Sequence, residues 1–122
     1  MDWYAGHIVM CLELKDDPQD VFMVYENIVL IGAESSEEAL LKAEAQGQSE
    51  ADLLDDSTTL DGKPARWIYK GVRKVVSCVC YPREQRPVSG DELTYNTYYL
   101  KSLDEVAKLA RGESVSLEYD DA

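Results

Sequence analysis

The chain has little with which to do chemistry. It carries a single histidine, His7, and three cysteines, Cys11, Cys78 and Cys80. No C-x₂-C knuckle is present, so the usual framework of a structural zinc site is missing. His7 and Cys11 lie four residues apart, about 13 Å along an extended strand, too far for one ion. An odd cysteine count argues against a disulfide framework. No G-x-x-x-x-G-K-[ST] or G-x-G-x-x-G loop is there to cradle phosphate, and no D-x-[DN]-x-[DN]-G loop to hold calcium. No apolar run nears the roughly 18 residues that cross a bilayer. The opening Met1-Asp2-Trp3 has no basic signal region. These absences lead us to expect a cytoplasmic protein with no membrane association, no cofactor and no bound metal. Catalytic residues are not identifiable, and an enzyme is not the favoured reading.

Positive charge is also scarce. Twelve Lys and Arg stand against 24 Asp and Glu, a formal net charge of −12. That balance opposes a nucleic-acid partner and suits a basic protein. The bases are unevenly placed. Lys63, Arg66, Lys70, Arg73, Lys74, Arg83 and Arg86 are interrupted by one acid, Glu84. This strip faces acidic helix residues or water, or else binds phosphate.

The remaining pattern concerns folding. A length of 122 residues fits one domain with its own core. Residues 22–48, FMVYENIVLIGAESSEEALLKAEAQGQ, read as a strand, a cap, a helix and a glycine stop at Gly47. Ser35 and Glu38 form an S-x-x-E capping box, in which Glu38 is expected to reach back to the Ser35 N–H. Ala39, Leu40 and Ala43 share the apolar face of this helix. Ser102 and Glu105 repeat the box ahead of Leu103, Val106, Ala107 and Ala110, with Gly112 as the stop.

Trp3 to Leu14 is expected to be a central strand. Tyr4, Ile8, Met10, Leu12 and Leu14 lie on one face; Trp3, Ala5, His7, Val9 and Cys11 lie on the other. The next run returns antiparallel, with Glu26-Asn27 read as a bulge or break. Residues 65–81 read as a long strand. Alternation puts Ile68, Val72, Val76, Cys78 and Cys80 on one face, and Trp67, Tyr69, Val75, Val79 and Tyr81 on the other, with a bend or bulge near Gly71. Residues 92–101 are β-like by their Thr and Tyr content, and residues 115–119 alternate as a last strand. The expected architecture is α+β: an antiparallel sheet of about five strands with two helices packed on one face.

The residues that make this order distinctive are Trp3-Tyr4, Tyr25-Glu26-Asn27-Ile28-Val29-Leu30-Ile31, Ala33, Ser35 or Ser36, Glu37-Glu38-Ala39, Lys42-Ala43-Glu44, Trp67-Ile68 and Gly90-Asp91-Glu92-Leu93. In this order the chain resembles the bacterial domain-of-unknown-function family 4288. The resemblance spans roughly residues 3–100, with residues 101–122 as a C-terminal helix and strand outside it. The family carries no assigned activity, so the resemblance implies no catalytic, cofactor or metal residues.

Two functional readings follow. The favoured one is a non-enzymatic protein-interaction module, of the kind that an immunity protein uses against a basic toxin. It would bind itself or another protein through strand edges, acidic loops and a Tyr-rich surface. Its candidate surface residues are Tyr95, Tyr98 and Tyr99, with Arg83 and Arg86. The alternative is a small-ligand- or phosphate-binding domain, or a small enzyme, built on the 63–86 strip.

Overall fold

The computed structural model describes residues 2–53, 57–78, 89–90 and 92–120. Its elements run β1 (Asp2–Leu14), β2 (Met23–Ala33), α1 (Ser36–Leu53), β3 (Thr59–Leu60), β4 (Lys63–Ser77), β5 (Thr97–Tyr99), α2 (Leu103–Ala110) and β6 (Glu118–Asp120). The class is α+β and the strands pair antiparallel, as the alternating patterns imply. They divide into a four-stranded sheet, ordered β2-β1-β4-β3, and a separate β5-β6 ribbon. β1 is central and buried on both faces.

α1 lies on one face of the large sheet, over β4, β1 and β2. The expected placement of both helices on this face needs refinement. α2 joins β5 to β6, makes no close backbone approach to the large sheet and buries none of its residues. Strand content at the C-terminus is also smaller than the pattern suggests: three residues in each of β5 and β6.

The core under α1 is made of small residues. Ala39 and Ala43 are fully buried against Tyr4, Ile31 and Ala33, with Val29, Val72 and Val75 around them. The close approach depends on two glycines. A methyl group at Gly6 would stand 2.8 Å from Ile31 Cδ1 and 3.2 Å from Ala43 Cβ; one at Gly47 would stand 2.5 Å from the Tyr69 ring. Gly47 is therefore a packing residue inside α1, and the helix runs on to Leu53. Leu40, expected on the buried face, lies at its margin and is 39% exposed.

Both capping boxes form, with one difference. Ser35 Oγ accepts from the Glu38 N–H and Ser102 Oγ from the Glu105 N–H. Each glutamate reaches one residue further back than expected, to the N–H of Glu34 and of Lys101. At the end of α2 the Gly112 N–H donates to Leu109 O and the Glu113 N–H to Lys108 O. That pair of bonds needs a left-handed residue, which Gly112 supplies at φ 79°.

Two register shifts in the β1–β4 ladder leave Arg73 and Lys70 as extra residues on β4. Each is a β-bulge, and each resets the alternation. Trp67, Tyr69, Val72 and Val75 consequently share the helix face, so Val72 moves to the side opposite its expected one. The expected irregularity at Glu26-Asn27 does not occur, because β2 pairs with β1 one-to-one from Met23 to Ala33. The β1–β2 connection is held by Gln19. Its side chain accepts from the Leu14 N–H at 2.9 Å and donates to Leu12 O at 3.1 Å.

Candidate functional site

β2 is an edge strand; among the described residues nothing pairs with its outer side. The direction of its backbone groups follows from the ladder. The Cys78 N–H donates to Trp3 O, so the polar groups of Trp3 point toward β4. Gly32 stands opposite Trp3. Its groups therefore point away from β1, since paired residues in an antiparallel ladder both turn in or both turn out. Lys42 Nζ donating to Gly32 O at 2.7 Å agrees with this. The one-to-one register extends the assignment to Leu30, Ile28, Glu26 and Val24. Four consecutive outward N–H and C=O pairs thus line an accessible edge.

The side chains along this edge are apolar. Val24, Ile28 and Leu30 are about half exposed on the face away from α1, and Met23 and Tyr25 on the helix face. Phe22 and Val21 continue the run before the strand. Soluble proteins usually blunt such an edge with lysine, proline or an inward-pointing charge. The single charged residue in β2 is Glu26, an inward-turned carboxylate engaged by His7 and Arg73, and it is the one such device along this strand. The charges lie instead at the strand's ends: exposed Asp16, Asp17 and Asp20 before it, and exposed Glu34 and Glu37 after it.

Beside the edge, on the helix face, lies a hollow of about 460 Å³ lined by Met10, Tyr25, Asn27, Glu50, Leu53 and Trp67. The sheet extends past the last turns of α1 here and leaves its aromatic floor uncovered. The Tyr25 and Trp67 rings meet at a centroid distance of 4.6 Å and are tilted by 40°. Glu50 Oε1 accepts from the Gln46 side-chain amide at 3.1 Å, which holds the carboxylate beside the rings.

The other face of the sheet carries a polar cluster. His7 has no exposed surface, and its Nδ1 lies 2.7 Å from Glu26 Oε2. A carboxylate only accepts, so Nδ1 carries the proton. The bulge at Arg73 aims its guanidinium at the same Glu26 oxygen, at 3.4 Å. The Arg73 guanidinium also covers the Tyr119 ring at 4.0 Å, and Tyr119 meets Tyr98 edge-on. Burial raises the Tyr119 hydroxyl pKa, as do Tyr98 and Glu26, against the opposing effect of Arg73. This cluster joins the β5-β6 ribbon to the large sheet. A histidine with no accessible surface cannot meet a substrate, so the cluster reads as a joint between layers.

Of the expected surface residues, Tyr95 and Tyr99 are exposed, whereas Tyr98 is packed on Tyr119. Arg83 and Arg86 lie outside the described residues, as do Cys80 and Tyr81. Cys11 and Cys78 are buried. Among the described residues no group of three His, Cys, Asp or Glu side chains could hold a metal, and no helix is long and apolar enough to cross a membrane. Among the described residues of the basic strip, Lys70 pairs with Glu13 at 2.7 Å and Arg73 with Glu26. Sequence reasoning missed the Tyr25–Trp67 hollow, because its residues come from four separate elements. It also read Glu26 as a break, although a lone acid in an apolar strand is itself a sign of a buried partner.

The comparisons with known proteins bear on this arrangement. Residues 3–93 match DUF4288, a domain of unknown function, and the chain belongs to that family. The match takes in β1 to β4 and α1, and with them the β2 edge and the hollow. No curated protein and no solved structure matches the chain.

Proposed function

We propose that this chain is a non-enzymatic protein-interaction module that takes an extended segment of a basic partner onto the outer edge of β2. The observation that carries the reading is the row of outward N–H and C=O groups from Val24 to Leu30 on a strand with exposed apolar side chains. Main-chain hydrogen bonds would supply affinity, and alternate side chains specificity. Charge selects the kind of segment. Acidic residues flank both ends of the edge, so the matching strand carries Lys or Arg at its ends and apolar side chains on the face it shares with Val24, Ile28 and Leu30. A second copy of this chain fits less well. A two-fold antiparallel β2 pair centred on Asn27 would bring Asp20 of one copy beside Glu34 of the other, and opposed like charges destabilise a ladder.

Amide hydrogen exchange tests this directly. In the free chain the Val24, Glu26, Ile28 and Leu30 amides should exchange much faster than those of Tyr25, Asn27, Val29 and Ile31. Nine-residue peptides selected on the intact protein from a random display library should slow the first set. Outward amides already protected in dilute protein, or peptides protecting a different region, would refute the reading.

A further inference from the structure

The hollow beside β2 has features that a generic strand-docking edge does not need. We infer that it is an anchor site for one arginine or lysine side chain of the docked segment, an assignment that rests on the reading of β2 as the docking edge. The lining divides into two chemistries. Met10, Leu53 and the faces of Tyr25 and Trp67 suit an aliphatic stem and, through their π systems, a cation. Glu50 supplies a carboxylate at the same place, positioned by Gln46. Among the described residues no cation pairs with Glu50.

A long basic side chain satisfies both parts. It lays its stem on the apolar wall and delivers its charge to the carboxylate and the rings. A purely apolar side chain would bury the Glu50 carboxylate without a countercharge, which is costly. An acidic one would be repelled by Glu50.

The position of this residue in the docked strand is narrowed to two. Tyr25 and Asn27 direct their side chains to the helix face and their backbone groups toward β1. On an added strand, the residue opposite either of them also projects to the helix face, beside the hollow. Tyr25 and Asn27 both pair in the non-hydrogen-bonded fashion on their outer side, where side chains approach most closely. One basic residue, opposite Tyr25 or Asn27, is therefore required, separate from the flanking bases that meet the acidic ends.

The test uses the same peptide selection on three baits: the wild-type chain, Glu50→Gln and Trp67→Leu, each checked for an unchanged circular dichroism spectrum. Wild-type binders should share a central Arg or Lys at constant spacing. Replacing it with Met should weaken binding roughly tenfold. Glu50→Gln should reduce that difference to about twofold or less, because a neutral amide no longer favours the cation. Trp67→Leu should select fewer central bases. Peptides that protect the β2 amides but show no central basic preference would overturn the anchor and leave the docking edge standing. So would a preference undiminished on Glu50→Gln. Failure of any peptide to protect β2 would overturn both.

Discussion

The two helices reverse what their sequences advertise. α2 has the stronger separation of apolar and polar faces, with Leu103, Val106, Ala107 and Ala110 to one side, yet none of its residues is fully buried and Leu103 is almost fully exposed. α1 has a weak pattern and an acidic, alanine-rich sequence, yet it covers the sheet. The difference lies in distance. Ala39, Ala43 and Gly47 let α1 approach so closely that backbone and small side chains make the contact, and tight packing rewards close approach more than side-chain size. The layers also differ in chemistry. α1 is joined to the sheet by apolar contacts, and the C-terminal ribbon by Glu26, Arg73 and Tyr119. Amphipathicity indicates which face of a helix could be buried, and the partner surface decides whether it is.

The comparison can be broken first at α1. Ala43→Leu should destabilise the chain by about 3 kcal/mol, since Gly6 and Ile31 leave no room for the added atoms. A chemical denaturation midpoint equal to wild type would show that the helix can lift away at little cost. Next comes the polar joint. Glu26→Ala should cost about 2 kcal/mol by leaving His7 Nδ1 buried without its acceptor. It should also loosen the ribbon, seen as faster exchange at Tyr98 and Tyr119; unchanged exchange there would separate the ribbon from this cluster.

The caps sharpen the contrast. Ser35→Ala should cost about 1 kcal/mol in global unfolding. Ser102→Ala should fray α2 alone, leaving the denaturation midpoint of the large sheet unmoved. Equal global effects would mean that α2 is part of the main cooperative unit. Acid acts on the same cap. The Glu34 N–H and Lys42 hold the Glu38 carboxyl below the usual glutamate value of 4.5. Its contribution is therefore complete above the unfolded value and is lost as pH falls through the lowered one. The wild-type advantage over Glu38→Gln in thermal scans should shrink from pH 6 toward pH 3, and an advantage constant with pH would contradict it. The smallest effect belongs to the exposed face of α2. Leu103→Ser should change stability by about 0.5 kcal/mol or less; a larger loss would reveal a partner for that face.

Much of the frame is legible in the residues. The continuous apolar run of β1 marks a central strand, and S-x-x-E marks both helix starts. Three features were not legible, each for a physical reason. Gly47 looks like a stop because glycine is common there, and only the nearness of Tyr69 makes it a contact. A bulge near Gly71 is expected from that glycine, but that there are two, at Lys70 and Arg73, depends on pairing with β1, because local alternation cannot register an extra residue. Glu26 looks like a break until His7 and Arg73 stand beside it.

The candidate site divides in the same way. That Met23–Ala33 forms a largely apolar strand follows from sequence alone, because propensity and patterning are local. That this strand lies at the edge, turns Val24 to Leu30 outward and borders the Tyr25–Trp67 hollow depends on strand order and on how far α1 reaches across the sheet. Local sequence determined the elements and their caps, where the energies involve residues three or four apart. Tertiary structure decided which edge stayed open and which helix was covered, because those outcomes rest on contacts between residues far apart in the chain.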